Sequence, residues 1–103
     1  MSTFREVSIL TKQYLAGELS VRLEKLLEVT APSGAVQVAE LRHEVESGSL
    51  HQLPAELRRA IALADGLCWE SLTRGDAAAF ARQAAVSADL RQFGACARLI
   101  GDD

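Results

Sequence analysis

Apolar residues recur at intervals of three and four along most of this 103-residue chain. That spacing places them on one face of an α-helix, whereas a half-buried strand would alternate apolar and polar residues. No segment of the sequence shows a convincing alternation of that kind. We therefore predict an all-α fold, a small helical bundle of about five to six helices that forms a single domain over residues 1–103.

The first segment is a long apolar stretch of helical spacing, from Phe4 to Thr30, which Gly17 interrupts. A glycine inside a helix costs only about 1 kcal/mol relative to alanine. The spacing therefore predicts a long N-terminal helix bent or broken near Gly17, and both one helix and two helices in series remain open. Pro32 and Gly34 then predict a break, because proline removes a backbone donor and glycine is flexible.

A shorter helix follows in the middle of the chain. The apolar spacing predicts it from Ala35 to Ser47, and Gly48 is its expected left-handed terminator. A loop is predicted after it, up to residue 53. Pro54 suits the first turn of the next helix, because the missing N–H of proline has no partner at that position in any case.

The C-terminal half predicts an antiparallel helical hairpin. A wide apolar band covers residues 54–73, Gly75 ends that helix, and Asp76 is a suitable N-cap for the next one. The second arm is rich in alanine, which indicates close packing against the first arm. We expect this second arm to bend near Ser87 or to give way there to a further helix.

The apolar residues of the N-terminal helix cover more than one of its faces. Such a helix is typically buried by a second chain or binds an amphipathic partner helix. The pattern therefore predicts a partner-binding surface formed by Phe4, Val7, Tyr14, Leu19, Leu23, Leu26 and Leu27. The alternative is that the helix packs on both sides inside a monomer.

The charge balance argues against a nucleic-acid partner. The chain has 11 Lys and Arg against 14 Asp and Glu, a formal net charge of −3, whereas sequence-independent binding of nucleic acid requires a concentrated positive field. A helix-turn-helix-type DNA-binding regulator is the alternative function, with its turn at residues 73–76. The helix after that turn opens with alanine and phenylalanine, which offer little to base edges.

Few residues of the sequence could take part in catalysis or bind a metal ion. Glu40 and His43 have the Glu-x-x-His spacing of di-iron bundles, but such sites need a second copy and two further carboxylates, and His51 falls in a predicted loop. Cys68 and Cys96 are interpreted as free, packed cysteines. We predict no catalytic residue, no metal ligand and no cofactor. A small helical enzyme or metal protein, which would gather these side chains in one pocket, is the second alternative.

The remaining patterns bear on location and function. The longest apolar run is far shorter than the roughly 20 residues of a membrane span, and the N-terminus does not resemble a signal peptide. We therefore expect a cytoplasmic protein that does not enter membranes. The sequence predicts a non-enzymatic helical protein–protein interaction module, an adaptor, regulator or chaperone of a specific protein partner, and a homodimer stays open.

Overall fold

The computed structural model describes the backbone of residues 3–99 and the side chains of residues 11–99. It confirms the all-α prediction, since the described chain contains four α-helices and no strand. The helices are α1 (Thr3–Glu28), α2 (Pro32–Ser47), α3 (Leu53–Arg74) and α4 (Ala77–Cys96). A single 3₁₀ turn, Leu50–Gln52, precedes α3.

The prediction of five to six helices is wrong because no break occurs at Gly17 or at Ser87. Of the two alternatives left open at Gly17, the structure shows one helix. α1 is continuous through Gly17, where an added Cβ would meet nothing within 4 Å. α4 is continuous through Ser87, whose hydroxyl donates to Asp65 Oδ1 of α3 at 2.6 Å. Because that hydroxyl bonds to a neighbouring helix, it does not compete for the backbone of its own helix.

Two helix boundaries also differ from the prediction. α2 begins at Pro32, three residues earlier than expected, because the fixed φ of proline suits the first turn of a helix. Gly48 follows α2 with a φ of −84°, which is not left-handed. Glycine is required there for space: a Cβ would lie 2.8 Å from the carbonyl oxygen of Glu44 and 2.7 Å from Gln52 Oε1.

The predicted turn between α3 and α4 is present. Gly75 ends α3 in the left-handed conformation, with a φ of +76°, which glycine adopts without steric cost. Asp76 caps α4, since its Oδ1 accepts a hydrogen bond from the Ala79 amide at 3.1 Å. The second arm of this hairpin then continues unbroken to Cys96.

Consecutive helices lie antiparallel, and hydrogen bonds join their side chains. Ser20 of α1 donates to Glu46 of α2 at 2.8 Å, and Ser71 of α3 donates to Gln83 of α4 at 2.6 Å. The Gln83 amide nitrogen also donates to the carbonyl oxygen of Val29, just after α1, at 3.1 Å. With short connections between neighbours, the chain forms an up-down-up-down four-helix bundle.

Leucine and valine supply most of the core. The largest fully buried apolar side chains are Leu19, Leu23, Leu26, Leu41, Leu53, Leu57, Leu90, Val38 and Val45. α4 packs closely against α3, as predicted, but alanine contributes little to the contact, because Ala79 is the one buried alanine of α4. Gln83 and Ser87 occupy the inner face instead, so hydrogen bonds as well as apolar contacts hold α4 against its neighbours.

Candidate partner-binding surface

α1 directs one of its apolar faces into the bundle. Leu19, Leu23 and Leu26 are fully buried in the core of this same chain, and Leu27 is partly buried against it. These four residues of the predicted surface therefore pack inside the chain. The side chains of Phe4 and Val7 lie outside the described residues, which leaves Tyr14 as the described member of the predicted set that faces solvent, with 60% of its surface exposed.

A second apolar row lies on the opposite side of α1. Tyr14, Gly17 and Val21 are all exposed, Val21 by 48%. Gly17 and Val21 each lie two residues from buried Leu19, about 200° around the helix. We call Tyr14, Gly17 and Val21 the α1 outer stripe.

Gly17 and Val21 are absent from the predicted surface, although the sequence contains a signal for them. The stripe has the spacing of three and four residues that places side chains on one helical face. Val7 and Leu10 continue the same spacing towards the N-terminus, although their side chains lie outside the described residues. The prediction chose the leucines because their spacing forms one continuous edge, and spacing alone could not tell which of two apolar faces the bundle would bury.

A groove runs beside the α1 outer stripe, between α1 and α4. It has a volume of about 450 Å³, and Tyr14 belongs to both the stripe and the groove wall. Leu15, Phe93 and Ala97 supply apolar lining, and Cys96 also borders the groove. The exposed apolar surface of α1 therefore extends from the stripe onto a concave surface shared with α4.

Arg22 and two acidic residues form a charged edge on this groove. The Arg22 guanidinium lies 4.5 Å from the centroid of the Phe93 ring, a cation–π arrangement. Its Nη1 donates to Glu18 Oε1 at 3.2 Å, and its Nε lies 3.2 Å from Asp89 Oδ2. One cation between two carboxylates leaves the edge with an excess negative charge.

A polar cluster between α1 and α2 fixes the rotation of α1 about its own axis. Ser20 Oγ donates to Glu46 Oε1 at 2.8 Å, and it accepts from Arg42 Nε at 3.0 Å. Arg42 also donates to Glu24 Oε1. The Ser20 hydrogen bond, supported by the charge of Arg42, lowers the pKa of Glu46. Because these bonds hold one side of α1 against α2, the α1 outer stripe is kept on the outside.

The two cysteines are free thiols in different environments. Cys68 is partly buried, and both burial and the nearby charge of Asp65 raise its pKa. The thiolate is the nucleophilic form, so this environment does not activate Cys68. Cys96 is exposed beside the α1–α4 groove, and the interpretation of Cys96 as a packed residue is therefore wrong.

The residues of the metal and enzyme alternatives are only partly brought together. Glu40, His43 and Glu44 border one shallow depression on the exposed side of α2. His51 is exposed in the 3₁₀ turn, and Cys68 lies on α3. Among residues 11–99, no group of three or more His, Cys, Asp or Glu side chains is placed so that it could hold a metal ion.

Arginines of the C-terminal half are partly neutralised within the chain. Arg59 pairs with Glu44, and Arg91 pairs with Asp65. The Arg91 hydrogen bond, with that of Ser87, lowers the pKa of Asp65. α4 packs lengthwise along α3, and the pair of Arg91 and Asp65 joins the two helices.

Comparison with known proteins identifies no relative of this chain. No protein-family model, no curated protein and no solved structure matches the chain. None of the helices within residues 3–99 is both long enough and apolar enough to cross a membrane. The function proposed below therefore rests on the geometry of the chain alone.

Proposed function

We propose that this chain is a non-enzymatic helical interaction module, an adaptor, regulator or chaperone that binds a specific protein partner through the outer face of α1. The proposal is supported by an apolar row that α1 exposes on the side opposite its buried leucines. In this row, the α1 outer stripe, Tyr14 and Val21 are exposed to solvent.

The α1 outer stripe has the features that favour burial by another polypeptide. Burying a large apolar side chain fully contributes roughly 1.5–3 kcal/mol, and tyrosine is enriched where interfaces gain most of their affinity. At Gly17 the helix surface is open, since a Cβ there would meet nothing within 4 Å. A partner side chain can therefore approach the α1 backbone between Tyr14 and Val21.

The shape and charge of the surface favour an amphipathic helix as the binding element of the partner. An apolar row at intervals of three and four residues matches the anchor spacing of a helix that binds in a groove. Glu18 and Asp89 flank the single cation Arg22 at the groove edge, and the whole chain carries a net charge of −3. The complementary helix is apolar on one face with basic residues beside that face.

The test replaces both large residues of the stripe with glutamate, in the variant Tyr14→Glu/Val21→Glu. Proteins captured from the native host by the wild-type chain are identified, purified and titrated against wild type and variant. We expect the variant to lose about 100-fold or more in affinity, because two apolar side chains become charged in a buried contact. The melting temperature should be retained, since both residues are exposed in the free chain.

Val36→Glu is the matched control, because Val36 is a 63% exposed apolar residue on α2, away from the stripe. It should bind the partner like the wild type. Self-association of the purified wild type that the double variant abolishes would name a second copy as the partner. Equal binding by wild type and double variant, with no self-association of either, would contradict the proposal.

A further inference from the structure

One buried carboxyl lies where α2, α3 and the 3₁₀ turn meet. Glu56 lies in the first turn of α3, and only 6% of its surface is exposed. Its Oε1 atom is inaccessible and has no hydrogen-bond partner among the described residues. A buried charge without a partner is unfavourable, so this environment favours the neutral acid more than water does.

Three acceptor oxygens converge at this junction. Glu56 Oε2, the Glu44 carbonyl oxygen and Gln52 Oε1 all lie within 3.2 Å of the point where a Cβ on Gly48 would be. The Glu44 carbonyl oxygen already accepts a hydrogen bond from the Gly48 amide at 2.8 Å. Gln52 Oε1 already accepts one from the Ser49 amide at 2.7 Å. A carboxylate could only add a further acceptor here, whereas a carboxylic acid supplies a donor.

Charged groups of α1, α2 and α3 lie around Glu56. Glu44 of α2 repels the ionised form, while Arg59 of α3 and Lys12 of α1 attract it. Arg59 is itself paired with Glu44, and Lys12 donates to the carbonyl oxygen of Glu46. Desolvation is the largest influence, and the pKa of Glu56 is raised.

We propose that Glu56 is a proton-operated latch: its protonated carboxyl closes the junction of α2, the 3₁₀ turn and α3, and its ionisation loosens residues 48–53. The protonated acid donates a hydrogen bond to one of the converging oxygens. On ionisation, the carboxylate is repelled by the same oxygens and by Glu44. It then gains solvation by moving outward, and the 3₁₀ turn, whose Gln52 Oε1 lies beside the same point as Glu56 Oε2, opens with it.

The equilibrium between the closed and open forms depends on pH, because protonation of Glu56 and closure are coupled. A carboxyl whose pKa is higher in the closed form than in the open form makes opening more favourable as pH rises between those two pKa values. For one proton, the opening constant rises by at most about tenfold per pH unit. Below the ordinary pKa of glutamate the latch stays closed, and above the raised pKa no further change occurs.

Amide hydrogen exchange of the whole chain tests the latch. We expect protection of the amides of residues 48–53, corrected for intrinsic exchange, to fall with rising pH in the wild type and to stay constant in Glu56→Gln. Glu40→Gln removes an exposed carboxylate from α2 and should behave like the wild type. A direct carboxyl NMR titration of Glu56 in the wild type should have the same midpoint as the loss of protection.

Two results would overturn the latch. One is protection of residues 48–53 that changes equally with pH in the wild type and in Glu56→Gln. The other, which does not depend on any variant folding, is a Glu56 carboxyl that titrates at its ordinary pKa while protection of the turn is unchanged.

Discussion

At the scale of single residues, glycines that look alike in the sequence have opposite effects on stability. Gly48 has a backbone conformation open to any residue, but an added Cβ would lie 2.8 Å from the Glu44 carbonyl oxygen. Gly66 is exposed in the middle of α3, and its Cβ would meet nothing within 4 Å. The effect of a larger residue on stability is therefore decided by the available space at Gly48 and by helix propensity at Gly66.

The two alanine variants should change stability in opposite directions. Gly48→Ala should lower the free energy of unfolding by about 1–3 kcal/mol, because a backbone atom must move to admit the methyl group. Gly66→Ala should raise it by about 0.5–1 kcal/mol, since alanine loses less entropy in a helix. Denaturant titration measures both. A neutral or stabilising Gly48→Ala would mean that the close approach around Gly48 is absent.

Among the elements, α4 depends on buried polar contacts more than its composition indicates. Gln83 is buried, its Oε1 accepts from Ser71 at 2.6 Å, and its Nε2 donates to the Val29 carbonyl oxygen at 3.1 Å. One side chain thus links α4 to α3 and to the end of α1. Removing it leaves both partners without this hydrogen bond and opens a cavity.

Gln83→Ala should therefore destabilise the bundle by about 2–4 kcal/mol, from the lost hydrogen bonds and the lost packing together. Gln92 is exposed on the same helix, and Gln92→Ala should change the free energy of unfolding by less than about 0.5 kcal/mol. Equal midpoints for the two variants in urea would show that Gln83 does not bridge the helices.

The sequence was informative about the turn between α3 and α4 and less so about the number of helices. Gly75 and Asp76 predict the α3–α4 turn because each has a local role, a left-handed φ and an N-cap. Continuity at Gly17 and Ser87 depends on the surroundings: open solvent at Gly17, and a hydrogen bond to Asp65 of another helix at Ser87. No local signal in the sequence contains that information.

For the whole molecule, the face of α1 that the bundle buries determines which apolar residues of α1 remain exposed. The sequence predicts an excess of apolar residues on α1, but the choice between faces needs the positions of α2 and α4. The cluster of Ser20, Arg42 and Glu46 on one side, and Arg22 over Phe93 on another, set that choice. Spacing places Tyr14 and the leucines on different faces of α1, whereas only the fold shows that the leucines are buried and Tyr14 is exposed.

Covalent crosslinking in the native host tests most directly whether the outer face of α1 binds a partner. A photo-crosslinking benzoylphenylalanine replaces Tyr14 in one chain and Val36 in another, two exposed positions on different helices. We predict a discrete crosslinked adduct with a second polypeptide from position 14 and none from position 36. It should disappear from the position-14 chain when Val21→Glu is added. No adduct from position 14, or the same adducts from both positions, would contradict a specific binding surface on the outer face of α1.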